Sequence, residues 1–242
     1  MKGLLTSGAL AVLVAGPAYG LAPLMTDDFS YGAAPGNLTA VAPGVWFMSS
    51  GASPFVGYQT STLSLPGYSF GGTGGAATIS TSGSEDVYRS IGGAQTGDVY
   101  FSALMNFSAA GAGSYFFHLK DATTGFRARV FAQNNGVNLR FGFSNTSTGT
   151  YSTTDFAYGT TYLVVVHYNG TTGASDLWVL TSLPVAAPAP LLSQTDAAIL
   201  GTMEAVGIRQ ATGGPTGVID GIRVGTTWAD LLPVELMNFE IK

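Results

Sequence analysis

An all-β fold, two antiparallel sheets stacked as a β-sandwich, is predicted by three features of this sequence. After Gly20 no stretch carries convincing helical periodicity, whereas apolar and polar residues alternate with period 2 again and again. The alternating runs are short and bounded by Gly, Asn, Ser and Thr. With 34 Gly and only 10% charged residues, the chain lacks the Glu and Lys enrichment of helical proteins, yet its 46% hydrophobic content is enough for a large core. A length of 242 residues suits one large sandwich rather than two domains.

The elements follow in chain order. "MKGLLTSGALAVLVAGPAYG" has the form of an export signal: Lys2 is the positive start, Leu4 to Val14 the apolar stretch, and Ala18-Tyr19-Gly20 a small-x-small cleavage site. The apolar run falls short of the roughly 20 residues needed to span a bilayer. Residues 1–20 are therefore expected to be removed, leaving a secreted or cell-surface protein that is not an integral membrane protein. Residues 21–232 are expected to form the sandwich domain, and 233–242 a terminal strand or linker.

Within the domain, Val99, Phe101, Ala103, Met105 and Phe107 share one strand face. Tyr115, Phe117 and Leu119 follow, then Phe126, Ala128 and Val130, then Leu139, Phe141 and Phe143. The turns between them are short enough for hairpins, Asn135-Gly136 giving the strongest signal, so a four-stranded meander is expected over 98–144. "TYLVVVHY" and "DLWVL" form a further hairpin, and the unbroken apolar run Leu163 to Val166 marks a strand buried on both faces. Three prolines in 183–200 exclude a central strand, and this segment reads as a surface loop with one helical turn near Thr195 to Leu200. "MEAVGIRQ" and "TGVIDGIRVG" resume the strand pattern. About a dozen strands with hairpin connections imply a sandwich or jelly roll.

Composition also limits function. A net charge of −5 argues against nucleic acid, whose binding needs a basic field to release counterions. The absence of cysteine removes disulfide frameworks, thiolate metal sites and cysteine nucleophiles. The only histidines, His118 and His167, sit inside strand patterns, where packed or solvated residues are expected. No Gly-x-Ser-x-Gly elbow presents a serine to either of them.

The succession "DDFSYGAAPGNL", "SEDVYRSI", "GDVYFSALMNFSAAGAGSYFFHL", "FRARVFAQ", "NLRFGFS", "TTYLVVVHYN" and "IDGIRVGTTWADL" resembles the LamG-like, concanavalin A-like jelly-roll domain of secreted bacterial proteins, especially of Bacteroidetes-type organisms. The resemblance spans roughly residues 27–232. "LPVEL" resembles the segment joining such domains to C-terminal modules or sorting tails. It implies a lectin- or glucanase-type sandwich, a scaffold that hosts binders, hydrolases and structural modules alike. Retaining hydrolases of this type carry two carboxylates about 5 Å apart, usually as Glu-x-Asp-x-x-Glu on one strand. The four glutamates here, Glu85, Glu204, Glu235 and Glu240, show no such spacing, so no enzyme is expected.

Three candidate sites remain. If the first and last strands lie together, Asp27 and Asp28 approach Asp220 and could hold a structural Ca2+, which needs several oxygen ligands. The resemblance implies the same, since the last strand of related enzymes carries an ion-binding Asp. The alternative makes Asp27 and Asp28 turn residues and pairs Asp220 with Arg223 or Arg89. The second site is a cationic, aromatic strand face: Phe116, His118, Lys120, Arg127, Arg129, Phe131 and Arg140 would point outward together, with Trp178 as a further contact. His118, Arg127, Arg129, Arg140 and Trp178 are thus the candidate glycan-binding residues; the alternative is a solvated face whose Arg residues pair with Glu85 and Asp86. Trp46, Trp178 and Trp228 are also read as packing residues. In the third, Met237, Phe239 and Ile241 alternate with polar residues beyond Pro233, forming a strand that either joins its own sheet or adds to a neighbouring copy. The expected function is a non-catalytic extracellular structural or adhesive protein that binds glycan. Alternatives are a filament or surface-layer subunit and a degenerate glycoside hydrolase.

Overall fold

The computed structural model describes residues 22–232 apart from 33, 70 and 199. The readings made for residues 1–20 and for Met237, Phe239 and Ile241 lie outside the described residues. The strands are β1 (Met25–Asp27), β2 (Gly36–Asn37), β3 (Phe47–Ser50), β4 (Gly57–Gln59), β5 (Ala76–Ile79), β6 (Asp86–Gln95), β7 (Asp98–Ala110), β8 (Ser114–Lys120) and β9 (Phe126–Asn135). They continue with β10 (Asn138–Ser144), β11 (Thr150–Tyr151), β12 (Phe156–Ala157), β13 (Thr161–Asn169), β14 (Ala174–Leu180), β15 (Leu192–Thr195), β16 (Met203–Arg209) and β17 (Pro215–Gly225). Two single-turn helices, α1 (Leu38–Val41) and α2 (Trp228–Leu231), complete the set.

The strands form two antiparallel sheets, as alternation predicts. One runs β15-β14-β13-β7-β17-β5-β4-β2, with β1 beside β17; the other runs β11-β10-β9-β8-β16-β6-β3, with β12 beside β10. Between them lies one continuous apolar core that includes Trp46, Phe101, Met105, Phe117, Phe141, Val164, Val166 and Ile222. Burying each such large side chain contributes on the order of 2 kcal/mol.

β13 sits between β14 and β7, buried on both faces as its unbroken apolar run requires: Val164 and Val166 face the inter-sheet core. Leu163 and Val165 face a second apolar cluster with Leu65, Tyr68, Leu104, Trp178 and Leu231. That cluster lies on the outer face of the nine-stranded sheet, where Leu63, Leu65, Tyr68 and α2 pack over it. Helix α2 begins with a capping box, Thr227 and Asp230 each accepting from the other's backbone N–H.

Two expectations are corrected. The meander over 98–144 has three strands, not four: β7 pairs with β13 and β17, so the chain changes sheet between β7 and β8. A buried run such as Val99 to Phe107 fits a central strand of either sheet, and only pairing decides which. The 183–200 segment holds a strand, β15, in place of a helical turn near Thr195; it pairs with β14 and is an edge strand, which its upstream prolines permit.

Candidate functional site

The outer face of the eight-stranded sheet gathers most of the predicted cationic and aromatic face, but a different membership from that which strict alternation gives. Along β8 the register against β9 shifts between Tyr115 and Phe117. A bulge adds one residue to the strand and reverses the parity of its side chains. Phe116 and Phe117 therefore both enter the core, and Tyr115 turns outward with His118 and Lys120. A second irregularity falls in β9, where Ala128 has a φ of 49°. Upstream of it, Arg127 lies opposite the core residue Leu119, and Phe126 lies opposite Lys120. Arg127 is thus a correction: it turns towards the inner side of the sheet and hydrogen-bonds Tyr168, a core residue of the other sheet. Phe126, expected inside, belongs to the outer face.

What the face holds is a lattice of rings and cations. Tyr115 lies between two guanidinium groups, with Arg209 Cζ 4.2 Å and Arg129 Cζ 4.9 Å from its ring centroid. Phe126 lies 5.8 Å from the same Arg129 carbon, and Lys120 Nζ sits 5.0 Å over Tyr88. Rings continue on both sides: Phe47 stacks on Tyr88 at 5.6 Å, and Tyr115, Phe131 and Tyr151 follow one another at 5.6 and 6.2 Å. Tyr88, Tyr115, Phe126, Tyr151, Arg129 and Arg209 are partly exposed, while Phe131 is buried.

His118 is the base of this lattice. Only 3% exposed, it packs edge-on against Phe126 at 4.7 Å and Tyr115 at 5.5 Å. Its place is made by Gly207 on the neighbouring β16, directly opposite; any Cβ there would collide with the imidazole. Burial first, then the charges of Arg129, Arg209 and Lys120, push the His118 pKa down to about 3, so the ring is neutral at physiological pH. Its Nδ1 is buried with no hydrogen-bond partner among the protein groups.

The cations are unequally compensated. Arg209 lies 3.7 Å from Asp86, which also accepts the Ser50 hydroxyl at 2.7 Å, and it donates to Ser114 Oγ at 2.9 Å. Lys120 donates to the carbonyls of Asp121 and Thr123, and Arg129 to the carbonyl of Phe126. Among the described residues no carboxylate lies within ion-pairing distance of either Lys120 or Arg129. Glu85, expected as a partner, is buried and accepts the Val56 N–H at 2.7 Å. Arg140 is on the same sheet face but bonded to Asp155 at 2.7 Å. Tyr88 and Arg209 were missed by sequence reasoning; β16 brings them in, since its Gly207 faces both Tyr88 and His118.

Trp178 is a further correction. It belongs to the cluster on the outer face of the other sheet, where it meets Trp228 edge-on at 5.1 Å and donates its indole N–H to the Pro188 carbonyl at 2.8 Å. The sandwich core separates it from His118. Trp46 packs in the core against Phe29, as expected of a packing residue.

The three aspartates meet the geometry differently. The first and last strands do lie together, Asp27 opposite Ile222. Gly221 (φ 57°) forms a bulge within β17, so Ile222 turns inward while Asp220, opposite Leu104, faces the second cluster. Asp27 and Asp220 are therefore directed to opposite faces of one sheet. Asp27 is bonded to Arg89, to the Tyr31 hydroxyl at 2.6 Å and to the Trp46 indole N–H at 2.8 Å. Asp220 accepts from the N–H groups of Leu63 (2.7 Å) and Gly221 (2.6 Å), and Asp28 accepts from Ser30 N–H. Burial, with a smaller contribution from the Asp28 charge, raises Asp220 to about 7 against those hydrogen bonds. The three carboxylates make no common donor set for Ca2+, and among the described residues no group of three His, Cys, Asp or Glu is arranged to hold a metal.

His167 lies on the outer face of the nine-stranded sheet, stacked on Tyr100. Its Nε2 meets Asp98 at 2.8 Å and its Nδ1 meets Asp176 at 3.1 Å. The nearby Ser193 hydroxyl donates to Asp176 at 2.6 Å, so the serine faces a carboxylate rather than the imidazole that a nucleophile needs.

No helix among the described residues is long and apolar enough to cross a membrane. No protein-family model and no curated protein matches the chain. Solved structures do match in fold. A sialidase aligns at a TM-score of 0.56 and 12% identity over 89% of this chain, which spans 20% of the sialidase. The T. cruzi calreticulin globular domain aligns at 0.52 and 9% identity, over 87% of this chain and 90% of that domain. Domain 4 of the extracellular arabinanase AbnA from Geobacillus stearothermophilus, solved with arabinotriose, aligns at 0.50 and 10% identity, over 88% and 98% of the two chains. At these identities the likeness is one of fold: the chain is a two-sheet antiparallel β-sandwich.

Proposed function

We propose that this protein is an exported, non-catalytic sandwich that binds glycan on the outer face of its eight-stranded sheet. The observation that carries this reading is the half-exposed row of Tyr88, Tyr115, Phe126 and Tyr151, fixed by cross-strand packing and interleaved with Arg129 and Arg209. Sugar rings present C–H faces that pack on aromatic rings, and hydroxyls that accept from guanidinium N–H groups. On the opposite sheet, Leu63, Leu65, Tyr68 and α2 cover much of the outer face. That a sandwich of similar architecture has been solved with a trisaccharide is consistent with this use of the fold.

Non-catalysis is supported by chemistry. Hydrolysis of a glycoside needs an acid and a second carboxylate flanking the scissile bond, and among the described residues the one carboxylate within ion-pairing distance of Arg129, Arg209 or Lys120 is Asp86, already engaged by Ser50 and Arg209.

Binding of the mature protein to a panel of neutral and acidic polysaccharides, by affinity electrophoresis or calorimetry, tests the reading. At least one glycan should bind, and Tyr115→Ala should weaken it about tenfold, roughly 1.4 kcal/mol, by removing an aromatic contact together with the ring that holds Arg129 and Arg209. Binding that Tyr115→Ala leaves unchanged, or no binding across the panel, overturns the assignment.

A further inference from the structure

We infer that the glycan recognised by this face is anionic, a polysaccharide carrying carboxylate or sulfate groups. The inference rests on the glycan reading above and specifies its ligand class. Its basis is a local charge excess in a chain of net charge −5. Three of the nine Lys and Arg residues, Lys120, Arg129 and Arg209, gather over two rings of this face, Tyr88 and Tyr115. Asp86 partly compensates Arg209, at 3.7 Å, and carboxylates are absent from ion-pairing distance of the other two among the described residues.

Placing like charges this close on a partly buried face is unfavourable unless a counter-charge arrives. The cost is visible within the protein: burial first, reinforced by the charges of Arg127 and Arg209 and opposed by the Tyr115 hydroxyl group, lowers the pKa of Arg129, which nonetheless stays cationic, and the buried His118 between the cations stays neutral. His118 therefore adds no positive charge and leaves its Nδ1 without a protein partner. Packing over Tyr115 holds both guanidinium groups in place, which reduces the entropy lost when they engage an anion. A planar fork meets carboxylate or sulfate oxygens through paired N–H donors, whereas a neutral hydroxyl takes one. An extended chain of acidic sugars can thus pack against the partly exposed rings of this face and direct its charges to Arg129 and Arg209, while the buried Lys120 adds its positive field from beneath.

Matched probes separate charge from backbone. Polygalacturonate is compared with its methyl ester, and dextran sulfate with dextran, at about 50 and 500 mM salt; poly-glutamate supplies the same charge on a peptide. The expected result is at least tenfold tighter binding to one charged polymer than to its neutral pair. That preference should shrink at high salt, as counterion screening requires, and fall about tenfold in Arg129→Gln. Arg129→Lys should retain charge preference but lose affinity, which a purely structural role would not produce. Preference for polygalacturonate assigns carboxylate as the natural charge, and preference for dextran sulfate assigns sulfate. Equal binding of both members of each pair, abolished by Tyr115→Ala, overturns the anionic inference and leaves the glycan reading standing. Binding of poly-glutamate as tight as that of either acidic glycan overturns it in favour of an acidic protein partner. Binding of none of the polysaccharides overturns both. If Arg129→Gln is unfolded by circular dichroism, the wild-type salt dependence and the Lys120→Met variant decide the matter by the same criterion.

Discussion

Replacing His118 by Leu should make the protein more resistant to acid than the wild type. The imidazole is 3% exposed, surrounded by Tyr115, Phe126 and three cations, and its pKa falls from an ordinary 6.5 to about 3 in the folded state. The unfolded chain therefore takes up a proton near pH 6.5 that the folded protein refuses. A depressed folded-state pKa means that the linked stability is complete above pH 6.5 and is lost as pH falls towards 3. With RT near 0.59 kcal/mol, these two values give a loss of ~2 kcal/mol at about pH 5 and ~4 kcal/mol at about pH 3. Leucine fills similar space, carries no proton, and sacrifices no hydrogen bond at Nδ1, which has none. Urea unfolding of both proteins between about pH 3.5 and 7.5 gives the assay. Other titrating groups contribute to both curves and cancel in the difference, so the gap between variant and wild type should widen in favour of the variant as pH falls. A difference independent of pH would refute the argument that burial and like charge hold this ring neutral.

Three further outcomes follow from the same structure. Gly207→Val should cost ~1–3 kcal/mol by overpacking against the His118 ring, and His118→Ala in the same chain should recover much of that loss; a double variant that unfolds no later than the single one counts against the contact. Trp178→Ala should lower stability by ~3–5 kcal/mol in denaturant titrations while leaving polysaccharide affinity unchanged, because the indole packs on the far sheet against Trp228; reduced affinity in the folded variant would return Trp178 to the binding site. Asp220 acts in the opposite sense to His118: its pKa is raised to about 7, so the stability it contributes is full below its ordinary value of 3.8 and falls as pH rises through 7. Asp220→Asn should flatten that part of the stability profile, and an unaltered slope would show that the carboxyl is ionised throughout.

Much of the architecture was legible because period-2 alternation is a local property. Val99 to Phe107 could be assigned to one face, and Leu163 to Val166 to a strand buried on both, without knowing a single partner. The candidate site was half legible for the same reason. His118, Lys120, Arg129 and Phe131 lie on the outward face that alternation gives them, whereas Tyr115, Phe116, Phe126 and Arg127 are each on the other side from their expected positions. All four lie beside an irregularity that changes parity, and nothing in "SYFFHLK" or "FRARVFAQ" marks an inserted residue.

The sequence by itself determined that the chain forms strands, which apolar residues the regular strands would bury, and that its cationic residues concentrate around 118–140. Tertiary structure alone decided who meets whom. The bulge at Gly221 separates Asp27 from Asp220 although their strands are neighbours, and pairing of β16 with β6 and β8 brings Arg209 against Tyr115, distant in sequence. The physical reason is that a strand's side-chain alternation is set within a few residues, whereas register is set by hydrogen bonding to a partner, and a single extra residue reverses every side chain beyond it.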